Sequence, residues 1–216
     1  MHIKKGYYKD SILMVLFVLI FFLTSSYQLD FLIWFMSAPL LILVYKKTLK
    51  KAFFLSLIAS VAAVAISITW VTNYSTSIYL VSSIIFSAFL TLYASLFNLL
   101  SKKVEGYLQI LIVPFIYSSL MLLFEFSPIN SYWAEWSMFQ PMAAPLIWFI
   151  GSGGITFLII LLHSIIAFYF IKKDKKLLVI GFVLGLIIFG NYMYSYFAKS
   201  EGEKIKVALL QGNFQQ

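Results

Sequence analysis

The 216-residue chain contains no cysteine and no arginine, and only 11% of its residues are charged. Without cysteine there are no disulfides, no thiolate metal sites and no thiol nucleophile in these residues. Without arginine there is no guanidinium fork for bidentate contacts to bases or phosphates, so nucleic acid is not an expected partner despite a net charge of +8. An ordinary soluble domain carries about 25% charged residues. Here 62% of residues are hydrophobic and 19% aromatic, more apolar material than a core of this size can hide. Most of it must face lipid, which excludes a soluble globule.

What is present is a series of apolar runs. Seven stand out, at residues 11–24, 29–45, 52–71, 78–100, 107–124, 146–171 and 177–197. A spanning helix needs roughly 20 residues, so the chain has room for seven crossings with short connections. These predict an all-α polytopic membrane domain over residues 1–198. The first run is short and follows Lys4 and Lys5, as a secretory signal would. No small-x-small cleavage site follows it, and Thr24, Ser25 and Ser26 lead through Tyr27 into the next apolar run. We therefore read it as a span.

All sixteen basic residues are lysines, and they are distributed unevenly. Lys4, Lys5 and Lys9 precede the first span. Lys46, Lys47, Lys50 and Lys51 separate the second and third, Lys102 and Lys103 the fourth and fifth, and Lys172, Lys173, Lys175 and Lys176 the sixth and seventh. The alternate connections contain none. This count of thirteen against zero places the amino terminus in the cytoplasm and residues from Lys199 onward outside. Asp30, Glu125 and Glu135 then fall on the outer side.

The connection over residues 125–145 differs from the rest. It holds Pro128, Asn130, Tyr132, Trp133, Glu135, Trp136, Gln140, Pro141 and Pro145, mixing helix breakers with residues that favour a membrane interface. At 21 residues it is longer than a turn requires, and long surface connections often carry function. It reads equally as a plain aromatic anchor. His163, in the sixth span, is too isolated to form a metal or haem site, which needs several ligands. Gly151, Gly153 and Gly154 have no following lysine and so make no phosphate loop. They read as close-packing positions or a bent helix entry, and Gly181, Gly185 and Asn191 likewise as small-residue packing positions.

Composition changes after Phe197. A polar linker, Lys199 to Lys204, precedes Ile205, Lys206, Val207, Ala208, Leu209 and Leu210, closed by Gln211, Gly212 and Asn213. This pattern predicts a buried strand ending in a turn. A lone strand has nothing to pair with, so residues 199–216 are expected to open a domain whose remainder lies beyond Gln216.

Three segments resemble the bacterial apolipoprotein N-acyltransferases. Phe31 through Leu41, with Trp34 and the Pro39-Leu40-Leu41 triplet, resembles that family's second span. Tyr132 through Gln140, continuing to the Trp148–Ile159 segment with its glycines, resembles the outer loop and the helix start after it. Lys206-Val207-Ala208-Leu209-Leu210-Gln211-Gly212-Asn213 resembles the opening strand of the family's nitrilase-like catalytic domain. The resemblance implies seven spans followed by the start of an α/β nitrilase-like domain in a bacterial plasma membrane, with the carboxyl end on the outer, periplasmic side. It also implies transfer of a phospholipid acyl chain, through a cysteine thioester, to the amino terminus of a diacylglyceryl-modified apolipoprotein. The family's catalytic glutamate, lysine and cysteine would lie beyond Gln216, so no catalytic residue is expected here and this chain alone should be inactive.

The resemblance further implies a substrate-binding role for Trp133, Trp136 and Gln140 near a lateral opening for acyl chains, with Glu125 as the counterpart of the family's glutamate after the fifth-span proline, here Pro114. Glu125 also reads as a carboxylate at the water interface. The family's arginine in that region has no counterpart here, and Ser56 and Ser60 stand where it has glycines in the third span. Expected partners are a phospholipid acyl donor, an apolipoprotein acceptor and membrane lipids, with no cofactor and no metal. A multi-pass transporter or substrate-capturing membrane subunit is the alternative, though no internal repeat and almost no buried charge supports it.

Overall fold

The computed structural model describes residues 2–27, 29–125 and 141–197. These are almost entirely helical, and no β-strand occurs among the described residues. Seven α-helices follow in order: α1 (His2–Tyr27), α2 (Ala38–Val44), α3 (Leu49–Ser67), α4 (Thr76–Leu100), α5 (Leu108–Glu125), α6 (Ile147–Lys172) and α7 (Lys175–Phe197). Short 3-10 segments, Asp30–Phe35, Thr69–Asn73 and Pro141–Leu146, precede α2, α4 and α6. The strand expected within residues 205–210 and the start of a second domain at 199–216 lie outside the described residues.

Among the described residues, five helices are long and apolar enough to cross a membrane: Tyr8–Tyr27, Leu49–Ser67, Thr76–Leu100, Ile147–Lys172 and Lys175–Tyr194. The other two apolar segments, Asp30–Val44 and Leu108–Phe124, are shorter. Ile84, Leu123 and Phe182 are each about two-thirds exposed. A surface carrying such side chains along most of its helices belongs in lipid.

The second apolar run is not one helix. It bends at Met36 and Ser37, between Asp30–Phe35 and α2. Pro39 explains the bend, because proline has no N–H for the Phe35 carbonyl and its ring would clash with that group if the helix ran through. In the first turn of α2 the same ring is tolerated. The third run also ends early: α3 stops at Ser67 and a 3-10 turn carries the chain on to Asn73.

Packing follows residue size. Ala52, Ser56, Ala59, Ser60, Ala63 and Ser67 recur every three or four positions and are all buried on α3, giving a face of small side chains on which α4 packs most extensively. The buried side of α4 carries bulk at Phe89, Tyr93 and Phe97. Edge-to-face contacts of Phe89 and Tyr93 with Tyr117, both at 5.2 Å between ring centres, tie α4 to α5.

At one end the lysine-bearing connections are bonded to one another. Lys47 donates to both Asp10 oxygens at 2.7 and 2.8 Å, and Lys51 reaches Asp10 at 3.2 Å. Asn98 of α4 donates to the carbonyls of Val44 and Lys47. Gln109 of α5 donates to those of Ser101 and Val104. Tyr107 donates to Asp174 at 2.6 Å, and Lys172 to the Gly106 carbonyl at 3.1 Å. The connections grouped on one side by lysine counting therefore share one end of the bundle.

Candidate functional site

Of the residues singled out from sequence, Glu125 is the last residue of α5. Its side chain, with Trp133, Trp136 and Gln140, lies outside the described residues. Their frame is described. Helices α5 and α6 pack side by side, and Pro141–Leu146 rests on α6 and α7, so segment 126–140 links the ends of neighbouring helices. The start of α6 presents Trp148 and Phe149 almost fully exposed, at 91% and 81%. Aromatic side chains at a helix end suit the headgroup level of a bilayer.

Gly151 turns this aromatic start away from the rest of α6. Its backbone, at φ 67° and ψ 175°, occupies a region essentially reserved for glycine. The bend folds Ile150 back over the following turn, where a Cβ added at Gly154 would meet the Ile150 Cβ at 2.6 Å. Each glycine therefore has its own reason: Gly151 supplies the backbone angle and Gly154 the space. Gly153 faces the end of Met121 on α5.

A second polar site lies inside the bundle. His163 of α6 is fully buried. Its Nδ1 is 2.8 Å from Ser37 Oγ, and its Nε2 is hydrogen-bonded to the Ile33 carbonyl. A carbonyl can only accept, so Nε2 carries the proton, and in the neutral ring Nδ1 accepts from the Ser37 hydroxyl. The Ile33 carbonyl, which also accepts from the Met36 N–H, thus has a second partner across the bundle. Buried Tyr93 lies beside Ser37.

A serine hydroxyl donating to an imidazole nitrogen is the arrangement of a nucleophile and its base. Ser37 and His163 are both sealed at 0% exposure, however, and the second ring nitrogen is held by backbone rather than by an orienting carboxylate. The pair works as an internal tie between α6 and the bent segment. No group of three or more potential metal ligands occurs among the described residues. Sequence reasoning considered His163 only as an isolated ligand and missed Ser37, whose one available signal was its place two residues before Pro39, where a helix must break. No protein-family model matches the chain, and no curated protein matches it.

Proposed function

We propose that this chain is the membrane portion of an apolipoprotein N-acyltransferase, which moves an acyl chain from a phospholipid to the amino-terminal diacylglyceryl-cysteine of lipoproteins. The observation that carries the reading is the string Lys206-Val207-Ala208-Leu209-Leu210-Gln211-Gly212-Asn213, placed just after the last apolar helix. A thioester intermediate requires a cysteine, which these 216 residues do not contain. Their part is to hold a catalytic domain at the bilayer surface and to admit acyl chains to it.

In this reading the chain crosses a bacterial plasma membrane seven times, with segments 30–44 and 108–124 as short crossings and the lysine-bearing end in the cytoplasm. The connection after Glu125 then faces outward. The resemblance assigns Trp133, Trp136 and Gln140 to the lateral opening, and at the start of α6 Trp148 and Phe149 are exposed. The excess of lysine at one end of the bundle supports this orientation.

The test begins with the coding frame beyond the codon for Gln216. The expected result is one further domain with a glutamate, a lysine and a cysteine in nitrilase-like contexts, followed by another apolar span. The protein of that whole frame should N-acylate a diacylglyceryl-cysteine peptide in phospholipid vesicles, read as a mass increase of one acyl chain. A frame without those residues, or a full product that leaves the peptide unmodified, overturns the reading.

A further inference from the structure

A groove of about 490 Å³ opens on the outer face of the bundle between the start of α3 and the end of α4, lined by Leu49, Lys50, Phe53, Phe54, Ser95, Leu96 and Leu99. Its volume lies within the range of small-molecule sites, roughly 300 to 1,000 Å³, and its walls are almost wholly apolar. Phe53 and Phe54 stand edge to face at 5.6 Å and form one wall. Leu49 and Leu99 are both well exposed, so the groove is open along its side. Occupancy by an alkyl chain would remove this apolar surface from the fold's exterior without closing it to the bilayer.

The polar end of the groove is marked by Lys50. Asp10 engages Lys47 and Lys51, and Lys50 makes no ion pair among the described residues. Lys102 and Lys103 follow Leu99 at the same end of α4. Among the described residues, the connections at this end of the bundle carry eleven lysines between Lys9 and Lys176 against Asp10, Glu105 and Asp174. An ammonium at the mouth of an apolar, membrane-facing groove, in a field this positive, matches an amphiphile with an anionic head and a hydrocarbon tail. Basic pockets between transmembrane helices bind anionic lipid head groups on these grounds.

We propose that the α3–α4 groove is a binding site for an anionic glycerophospholipid, with one acyl chain along Phe53, Leu96 and Leu99 and the phosphate on Lys50. The site is at the opposite end of the bundle from the end of α5 at Glu125 and is independent of the acyltransferase reading. The lipid here is a retained ligand and undergoes no chemistry.

The test uses the purified full chain in non-ionic detergent, incubated with equal amounts of dioleoyl-phosphatidylglycerol and dioleoyl-phosphatidylcholine and read by native mass spectrometry. One phosphatidylglycerol should be retained in preference to phosphatidylcholine. Lys50→Gln should weaken its retention about fivefold, the contribution of one lysine near a charged surface, while Lys50→Arg preserves it. Lys175→Gln removes a lysine elsewhere at the same end and should change nothing. Leu96→Phe, which fills the groove, and Phe53→Ala, which removes its wall without adding bulk, should each reduce retention of both lipids. Equal effects of Lys50→Gln and Lys175→Gln would reduce the preference to diffuse surface charge and overturn the site. So would the absence of any preference for phosphatidylglycerol, or undiminished retention in a folded Leu96→Phe or Phe53→Ala protein.

Discussion

Ser37 and His163 stand 126 residues apart in the chain and 2.8 Å apart in space, hydroxyl oxygen to ring nitrogen, with neither side chain exposed. The imidazole meets the bent segment twice, through the Ser37 side chain and the Ile33 carbonyl. Ser37→Ala leaves Nδ1 buried without its donor, an omission worth about 1–3 kcal/mol in a soluble core. Side-chain hydrogen bonds between membrane helices measure nearer 0.6 kcal/mol, with a maximum of about 1.7. The expected loss is therefore about 1 kcal/mol, read as thermal unfolding in detergent. His163→Ala should cost more, because it also removes one of the two bonds to the Ile33 carbonyl and leaves a cavity. A double-mutant cycle on the pair should give a non-zero coupling; additive losses would remove the bond from the account.

At the start of α6 the expected effects of two glycine substitutions differ in kind. Gly151→Ala strains the backbone by about 1–3 kcal/mol, and no neighbouring change relieves it, because no atom obstructs a Cβ there. Gly154→Ala fails for lack of space, its Cβ meeting the Ile150 Cβ at 2.6 Å. Ile150→Ala keeps that carbon and should not rescue Gly154→Ala, whereas Ile150→Gly should. Melting temperatures of the two double variants decide the point. Equal rescue by both would place the obstruction further out on the Ile150 side chain.

The Tyr107–Asp174 bond predicts a pH window for the contact between connections 101–107 and 173–174. Hydrogen bonding from Tyr107, and then from the Lys176 backbone, holds the Asp174 carboxyl below its ordinary value. The same bond is the chief cause raising the Tyr107 phenol above its own. A lowered carboxyl contributes stability that is present above its unfolded pKa, about 4, and lost as pH falls through the folded value. A raised phenol contributes stability that is present below its unfolded pKa, about 10, and lost as pH rises through the folded value. The tie should hold between these limits and release beyond either. Ultraviolet titration of tyrosinate, compared with Tyr107→Phe to isolate this residue, should show Tyr107 ionising earlier in Asp174→Asn. An unchanged Tyr107 titration would contradict the bond.

Asp10 lies between two lysines from another connection, and its side chain is only 9% exposed. Exposed pairs contribute about 0–1 kcal/mol, and breaking a buried pair costs about 3–5. With Lys47 itself at 21%, Asp10→Asn should cost about 1–2 kcal/mol in thermal unfolding, since it leaves Lys47 and Lys51 near each other without a counter-charge. Added salt should narrow the gap between Asp10→Asn and the unaltered protein. A salt-independent difference would point to lost packing instead.

Much of this architecture was readable before any coordinates because lipid imposes a coarse rule: long apolar runs must be helices. The runs at 78–100, 146–171 and 177–197 correspond closely to α4, α6 and α7. The lysines at 46–51, 102–103 and 172–176 separated helices whose connections do gather at one end. The bend at Met36 was not read, although Pro39 marked it, because composition continues unbroken through it. The partnership of Ser37 with His163 was out of reach, because no local period links positions so distant. Three of the four residues expected to bind substrate, Trp133, Trp136 and Gln140, sit in a segment whose composition carries an interface signal without a helical or strand repeat from which a geometry follows.

The bend in segment 30–44 also has a consequence for the order of assembly. Chains enter a bilayer from their amino end, and residues 30–44 arrive long before residue 163 is synthesised. Until then the Ile33 carbonyl keeps only its bond from the Met36 N–H, and the Ser37 hydroxyl lacks its imidazole acceptor. The segment therefore gains its two ties across the bundle only after α6 has been inserted. Its final packing awaits a residue 126 positions beyond Ser37.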